Sequence, residues 1–313
     1  MNGELVKEIQ DCLCGERTLF HYYQDQYAIY LLSRLVDWEK RIAIRHLRCG
    51  RLARLLDRPL IKDLLSKCGD GFVNKKVLEG CWHDSFESYV LTLGDWGCYS
   101  DWSWDQISRP GKNLVLQLNV SGKWAVQFQR IMKMPPNQFF DSGHPLSDTR
   151  TMTLAWARLD IDFETDEALI EEIQSDSIRD VARLHRRACL VLSKGKKTFT
   201  YDGIEFDAQV FIDVAEPFLV RFNKNWQEAM LTAAISFIFD ELGISNIYYH
   251  SFETGNKMKN VRWSHPPRSL YTDLPQKFCF DSKAQAPEFL WRDKRVKRKL
   301  KKLEGGRWFH LAA

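Results

Sequence analysis

Two apolar runs that end in acids constrain this chain more than any other stretch. Leu154-Ala155-Trp156-Ala157-Arg158-Leu159-Asp160-Ile161-Asp162 precedes Ala168-Leu169-Ile170-Glu171-Glu172-Ile173-Gln174-Ser175-Asp176, and Glu164-Thr165-Asp166-Glu167 lies between them. Apolar runs of this length around a short polar turn form a β-hairpin, with strands expected from Thr151 to Ile161 and from Ala168 to Ile173. An acid in such a strand is costly to bury unless it meets a proton, a metal or an Arg. Strand alternation sets Glu172 and Gln174 on one face, with Asp176 beyond them, and Glu171 and Ile173 on the other. The crowding of Glu171, Glu172 and Asp176 predicts at least one carboxyl pKa above its ordinary value.

The rest of the chain places this hairpin in an α+β or α/β domain with a mixed central sheet and flanking helices. Residues 1–80 read as a helical region in which Thr18 caps a long segment from Leu19 to Leu47, with Tyr27, Leu31, Leu35 and Trp38 at helical spacing. Residues 81–291 carry the motif. Within them Asn113 to Val120 alternates as a strand, Ser177 to Leu192 is helical and basic, and Glu216-Pro217-Phe218 leads into a helix near Asn225. That helix ends at Gly243, and the strand Ile244 to His250 follows in a right-handed α/β connection. The aromatic-rich stretch 82–104 is read as core and loop packing. Residues 292–313 form a basic C-terminal tail.

Charge is distributed unevenly. The net charge is +4, yet Arg292 to Lys302 holds eight basic residues and one acid, so that segment contributes +7 and the remainder −3. Such a run suits nucleic acid or another acidic partner, with Arg295, Lys297, Arg298, Lys299, Lys301 and Lys302 as the contacts. It equally suits a solvated last helix with Leu300 and Leu303 on its inner side. The eight cysteines form no C-x-x-C pair. No run approaches the ~18 apolar residues of a membrane span, and Met1-Asn2-Gly3-Glu4 lacks a signal pattern, so a cytoplasmic protein with no membrane partner is expected.

Two kinds of chemistry are open to the hairpin. Asp160, Asp162 and Glu172, with Gln174, could hold Mg²⁺ through oxygen. Alternatively Glu172, Gln174 and Asp176 form a general acid/base cluster near His144, His185 or His250. No nucleophile elbow, P-loop or G-x-G-x-x-G occurs.

Four pieces together resemble a known family: Tyr89 to Leu93, Asn113 to Asn119, the Glu171 to Asp176 motif, and Pro217-Phe218 with Trp226 ahead of a helix, a strand and Thr254-Gly255. They look like a domain of uncharacterised bacterial proteins and large phage polyvalent proteins marked by Glu-Glu-Ile-Gln-Ser-Asp. The resemblance spans about residues 85 to 280 and implies no settled activity. In that family a Trp and a Gln/Gly/Arg-rich stretch follow the motif; here Ser177 stands in place of the Trp.

A more distant likeness is to GCN5-related acyltransferases, whose C-terminal half is similar to the order of hairpin, long helix, strand, Asn256, Leu270-Tyr271 and Phe278-Cys279-Phe280. It implies an acyl-CoA substrate, though the Gly-rich pyrophosphate loop of that family is absent before Trp226. The acidic hairpin, with Gln174 in the lysine slot, also resembles a PD-(D/E)XK nuclease core, which implies Mg²⁺. Three functions are therefore expected in turn: a group-transfer enzyme with Glu172, Gln174 and Asp176 in a cleft, a Mg²⁺-dependent nuclease, or a non-enzymatic phage-conflict or nucleic-acid-associated module whose motif acids are structural.

Overall fold

The computed structural model describes residues 1–12, 18–81, 85–98, 105–141, 143–261, 265–303 and 305–313. Its centre is an eight-stranded mixed sheet flanked by helices, an α+β architecture. The strands are β1 (Thr18–Tyr22), β2 (Glu87–Trp96), β3 (Asn113–Asn119), β4 (Thr153–Asp162), β5 (Glu167–Gln174), β6 (Asn246–His250), β7 (Asp281–Lys283) and β8 (Trp308–Ala312), in the spatial order β1-β2-β3-β4-β5-β6-β8-β7. All neighbours are antiparallel except β5 and β6, which run parallel. The expected hairpin is β4–β5.

The helices used below are α1 (Gly3–Cys12), α2 (Gln26–Glu39), α3 (Gly122–Met132), α4 (Asp176–Ser193), α5 (Ala208–Phe222), α6 (Trp226–Ser236), α7 (Phe252–Met258) and α8 (Lys294–Lys301). Helix α6 is buried on nearly every side and mostly apolar, from Trp226 and Ala229 through Ala234 and Ile235, because it lies against β4 and β5; its buried Glu228 is met by Tyr22 and Lys277. Ala157, Leu159, Ile170 and Ile173 face it within the main core. On the opposite face Leu169 joins Met258, Phe289, Val296, Leu300 and Trp308 in a second apolar cluster. Among the described residues no helix is long and apolar enough to cross a membrane.

Two expectations about the helices change. Thr18 does not cap a helix: Thr18–Tyr22 is β1, paired with Glu87–Leu91 at one end of the sheet, and the helix begins only at Gln26. The helical spacing holds for Tyr27, Leu31 and Leu35 but not for Trp38, which is exposed. Asp25 in the left-handed conformation (φ 65°) separates α2 from the residues before, and α2 ends at Glu39, short of Leu47, with a short strand at Arg41–Ala43. Pro217, read as a leader into a helix, lies inside α5. The burial of Phe211, Ala215, Phe218 and Phe222 along one stripe and the Asp207 cap on Val210 N (3.0 Å) hold that helix despite the missing N–H.

The basic segment is no loose tail. Asp293 caps α8 by accepting from Arg295 N (2.7 Å) and Val296 N (2.9 Å), and β8 inserts between β6 and β7. The regions expected as 1–80 and 292–313 thus each supply a strand to the sheet of 81–291. Of the aromatic stretch, Trp82, Tyr99, Trp102 and Trp104 lie outside the described residues, while Tyr89 is buried in the core.

Candidate functional site

The register of β4 against β5 slips inside the motif. Arg158 pairs with Glu172, but Leu159 pairs with Ile170, so Glu171 is an extra residue in a β-bulge. The bulge undoes the expected alternation: Glu171 does not turn to the opposite face from Glu172. Both reach the layer of residues 105–109 and Lys259 that covers this side of the sheet.

Glu171 is fully buried and accepts from Ser108 N (2.9 Å), Ser108 Oγ (2.8 Å) and His250 Nε2 (2.9 Å). Burial, the largest influence, would raise its pKa, but the His250 contact and the Lys259 charge together hold the carboxyl below its ordinary value. Burial pushes His250 down and keeps the ring neutral, with its proton on Nε2 toward Glu171. Ser108, His250 and Glu171 do not form a hydrolytic triad. A triad sets nucleophile and acid on opposite ring nitrogens, whereas here both meet Nε2, and Nδ1 has no partner among the described residues.

Glu172 is paired with Arg158 and with Lys259 Nζ (3.4 Å), and Lys259 also donates to the Glu171 carbonyl (3.1 Å). Arg158 also donates from Nη1 to the Asp105 carbonyl (2.7 Å) and from Nη2 to the Gln106 carbonyl (3.0 Å). Burial opposes ionisation of Glu172, yet Lys259 and then Arg158 bring its pKa down from 4.5 to about 2. Lys259 is fully buried, and that burial lowers its own pKa.

The carboxylates of the expected metal site meet cations and not one another. Arg109 binds Asp160 through Nε (2.7 Å) and Nη2 (2.8 Å) and reaches Asp162 (3.4 Å), and the Met1 amino group lies 3.0 Å from Asp160. Glu172 belongs to Arg158 and Lys259. Among the described residues no group of three or more His, Cys, Asp or Glu is arranged to hold a metal.

The far end of the motif differs. Asp176 Oδ1 meets His144 Nδ1 (2.7 Å), Gln174 Nε2 (2.7 Å) and Arg179 (2.9 Å), while Oδ2 accepts from Trp156 Nε1 (2.9 Å). Burial would raise this carboxyl, but His144 first, then Trp156 and Arg179, bring it below its ordinary value. None of Glu171, Glu172 and Asp176 is raised, contrary to the crowding argument, because each acid has its own donors. The Asp176 carboxylate favours a proton on His144 Nδ1, an atom that also lies 3.0 Å from Gln174 Nε2. The His144 side chain is 28% exposed, so the dyad opens to solvent.

The His144 loop is held from beneath. Gln117 Nε2 donates to Pro145 O (3.0 Å), and Asn137 Nδ2 donates to Ser147 O (2.9 Å). The sequence marked His144 only as one of three candidate histidines. Arg158 and Arg179 stand close enough in sequence to be read as partners of the hairpin acids, and they pair with Glu172 and Asp176. Nothing in the sequence joins the His144 loop to Asp176, and Lys259 and Ser108 carry no signal.

Two further features bear on ligands. Helix α4 leaves β5 directly, with Ser175 accepting from Ile178 N (3.1 Å) and the Asp176 carboxylate in its first turn. That start has no glycine and is occupied by the chain's own polar groups, so it does not fit a coenzyme A pyrophosphate. Separately, a cavity of about 380 Å³ opens where β1 and β2 meet the end of α6, lined by Leu19, Phe20, Leu91, Leu93, Ala233 and Phe237. No motif residue lines it.

Of the expected basic contacts, Arg295, Lys297, Arg298, Lys301 and Lys302 are exposed, whereas Lys299 turns inward and donates to Met258 O (3.1 Å). No family model, no curated protein and no solved structure matches the chain.

Proposed function

We propose that this chain is a group-transfer enzyme of acyltransferase-like architecture in which His144 is the general base and Asp176 its positioning partner. The observation that carries this reading is the partly exposed imidazole whose Nδ1 is tied to a buried, ionised carboxylate at the end of β5. The sheet supports it: an antiparallel meander, β2 to β5, passes through α4, α5 and α6 into the parallel strand β6. Glu172, first expected among the catalytic residues, is structural in this reading, and Gln174 orients Asp176.

In the reaction His144 Nε2 takes the proton of an amine or hydroxyl as that group attacks an activated acyl carbonyl. Asp176 stabilises the imidazolium, which then returns the proton to the leaving group. The donor is assigned by class only, as an activated acyl ester or thioester, because the start of α4 does not fit coenzyme A. The same reading includes an acidic partner, nucleic acid among them, on the exposed face of α8.

The test is acyl transfer from acetyl-CoA and from a short acyl thioester to a panel of amines, with calorimetry at millimolar donor. His144→Ala should lower transfer by about 10²–10⁴-fold. Absence of both donor binding and transfer in the wild-type protein would sink the proposal.

A further inference from the structure

The basic helix α8 is held rigidly with its cations outward. Val296 and Leu300 are buried among Leu169, Met258, Phe289 and Trp308, and Lys299 is fastened to Met258 O. At 100° per residue, Lys294, Arg295, Lys297, Arg298, Lys301 and Lys302 all fall within an outer arc of about 160°. All six are exposed, and among the described residues none makes an ion pair; in this part of the chain Arg292 instead pairs with Glu164 and Glu288. Some exposed cations elsewhere are matched, as in Arg179 with Asp180, Arg221 with Glu87 and Arg268 with Glu253, but no other helix carries six outward cations on one arc without an ion pair among the described residues. Six unmatched like charges on one short helix repel one another, and their arrangement suits a partner that neutralises them.

The chemistry of the arc narrows the partner. An interfacial membrane helix inserts its apolar face between lipids, but the apolar face of α8 is already spent on the protein core. Single-stranded nucleic acid is held largely by aromatic stacking, and the outer arc contains no aromatic residue. Eight residues of helix span about 12 Å, over which duplex DNA presents about seven phosphate charges. We infer that α8 is a docking surface for the phosphate backbone of a nucleic-acid duplex, bound without sequence preference through Lys294, Arg295, Lys297, Arg298, Lys301 and Lys302. This inference rests on the acidic-partner part of the proposed function and not on its acyl-transfer part.

The experiment is fluorescence anisotropy of the full chain with a labelled 20-base-pair duplex, competed by the matching single strand, by poly-glutamate and by phosphatidylserine vesicles. Saturable binding is expected to weaken by about a thousandfold between 50 and 200 mM salt, as for about six phosphate contacts. The triple variant Lys297→Glu, Arg298→Glu, Lys301→Glu should lose binding at least a hundredfold while keeping the wild-type circular dichroism and Tm. A milder pair, Lys294→Ala with Lys302→Ala, should reduce the salt slope by about two.

The inference is overturned if the duplex does not bind at 50 mM salt, or if the folded triple variant or the mild pair behaves as wild type. Tighter binding of the single strand, poly-glutamate or vesicles than of the duplex overturns it equally. Acyl transfer is measured without nucleic acid, so the two readings fail independently.

Discussion

The two ends of the Glu171–Asp176 segment use the same residue types to opposite effect. At the inner end the side chains of Glu171 and Glu172 are enclosed by Ser108, His250, Arg158 and Lys259, and all of these are buried. At the outer end Asp176 is as deeply buried, but His144, Gln174 and Arg179 around it reach solvent. The pairing of β5 with β6 stops at Ile170 and Tyr249, so only the inner acids sit beside the sheet's centre, beneath the side chains that follow β6. An acid whose donors are all interior holds the fold, whereas an acid with a donor that reaches solvent can transmit its charge to a reacting group. Position along one strand, more than residue type, separates the two roles.

The largest expected effect of breaking this contrast is at the inner end. Glu172→Ala leaves Arg158 and Lys259 buried without their shared anion, which costs about 3–5 kcal/mol. Urea denaturation measures this directly, and a variant with wild-type midpoint and slope would place Glu172 outside the structural cluster.

Acid reveals the same cluster without mutation. With its pKa brought from 4.5 to about 2, folded Glu172 gives up its proton more readily than in the unfolded chain. The unfolded state therefore binds more protons between these values, and stability falls as pH drops through them. The contribution is complete above about pH 4.5 and amounts to about 3 kcal/mol. Asp176 and Glu171 are lowered too and add to the loss in the same direction. In a Glu172→Gln protein the slope of stability against pH between about 4.5 and 2 should be shallower than in wild type; an unchanged slope would count against the assignment.

Much of this frame is legible in the sequence because it is written in short-range patterns. The β4–β5 hairpin, the strand Asn113–Asn119, helix α4 and the apolar helix at Trp226 follow from alternation, a polar turn and helical spacing. What is not legible depends on long-range register. One inserted residue, Glu171, reverses the face assignment of a strand that otherwise alternates, and a bulge leaves no mark in composition. The partners of the motif acids come from Ser108, His144, His250 and Lys259, as many as 88 positions away. Pro217 misled for the complementary reason: a local breaker was overruled by the burial of its helix.

At the outer end smaller stability effects are expected. Asp176→Asn keeps the shape but removes the charge that Trp156, Arg179 and His144 share, for a cost of about 1–3 kcal/mol, measurable as a lower urea midpoint. The smallest stability change, and the sharpest test of the comparison, is at His144. Its ring is partly solvated, and its loop is fastened independently by Gln117 and Asn137. His144→Ala should therefore change stability by about 1 kcal/mol or less, since Asp176 retains Trp156, Arg179 and Gln174 as donors. The same variant removes the only proton acceptor that the dyad presents to solvent. Calorimetric unfolding beside an acyl-transfer assay separates the alternatives: a near-native Tm with lost transfer fits a base displayed by a structural acid. A Tm lowered as far as in Glu172→Ala would make the outer end a second piece of scaffold, and the contrast between the two ends would disappear.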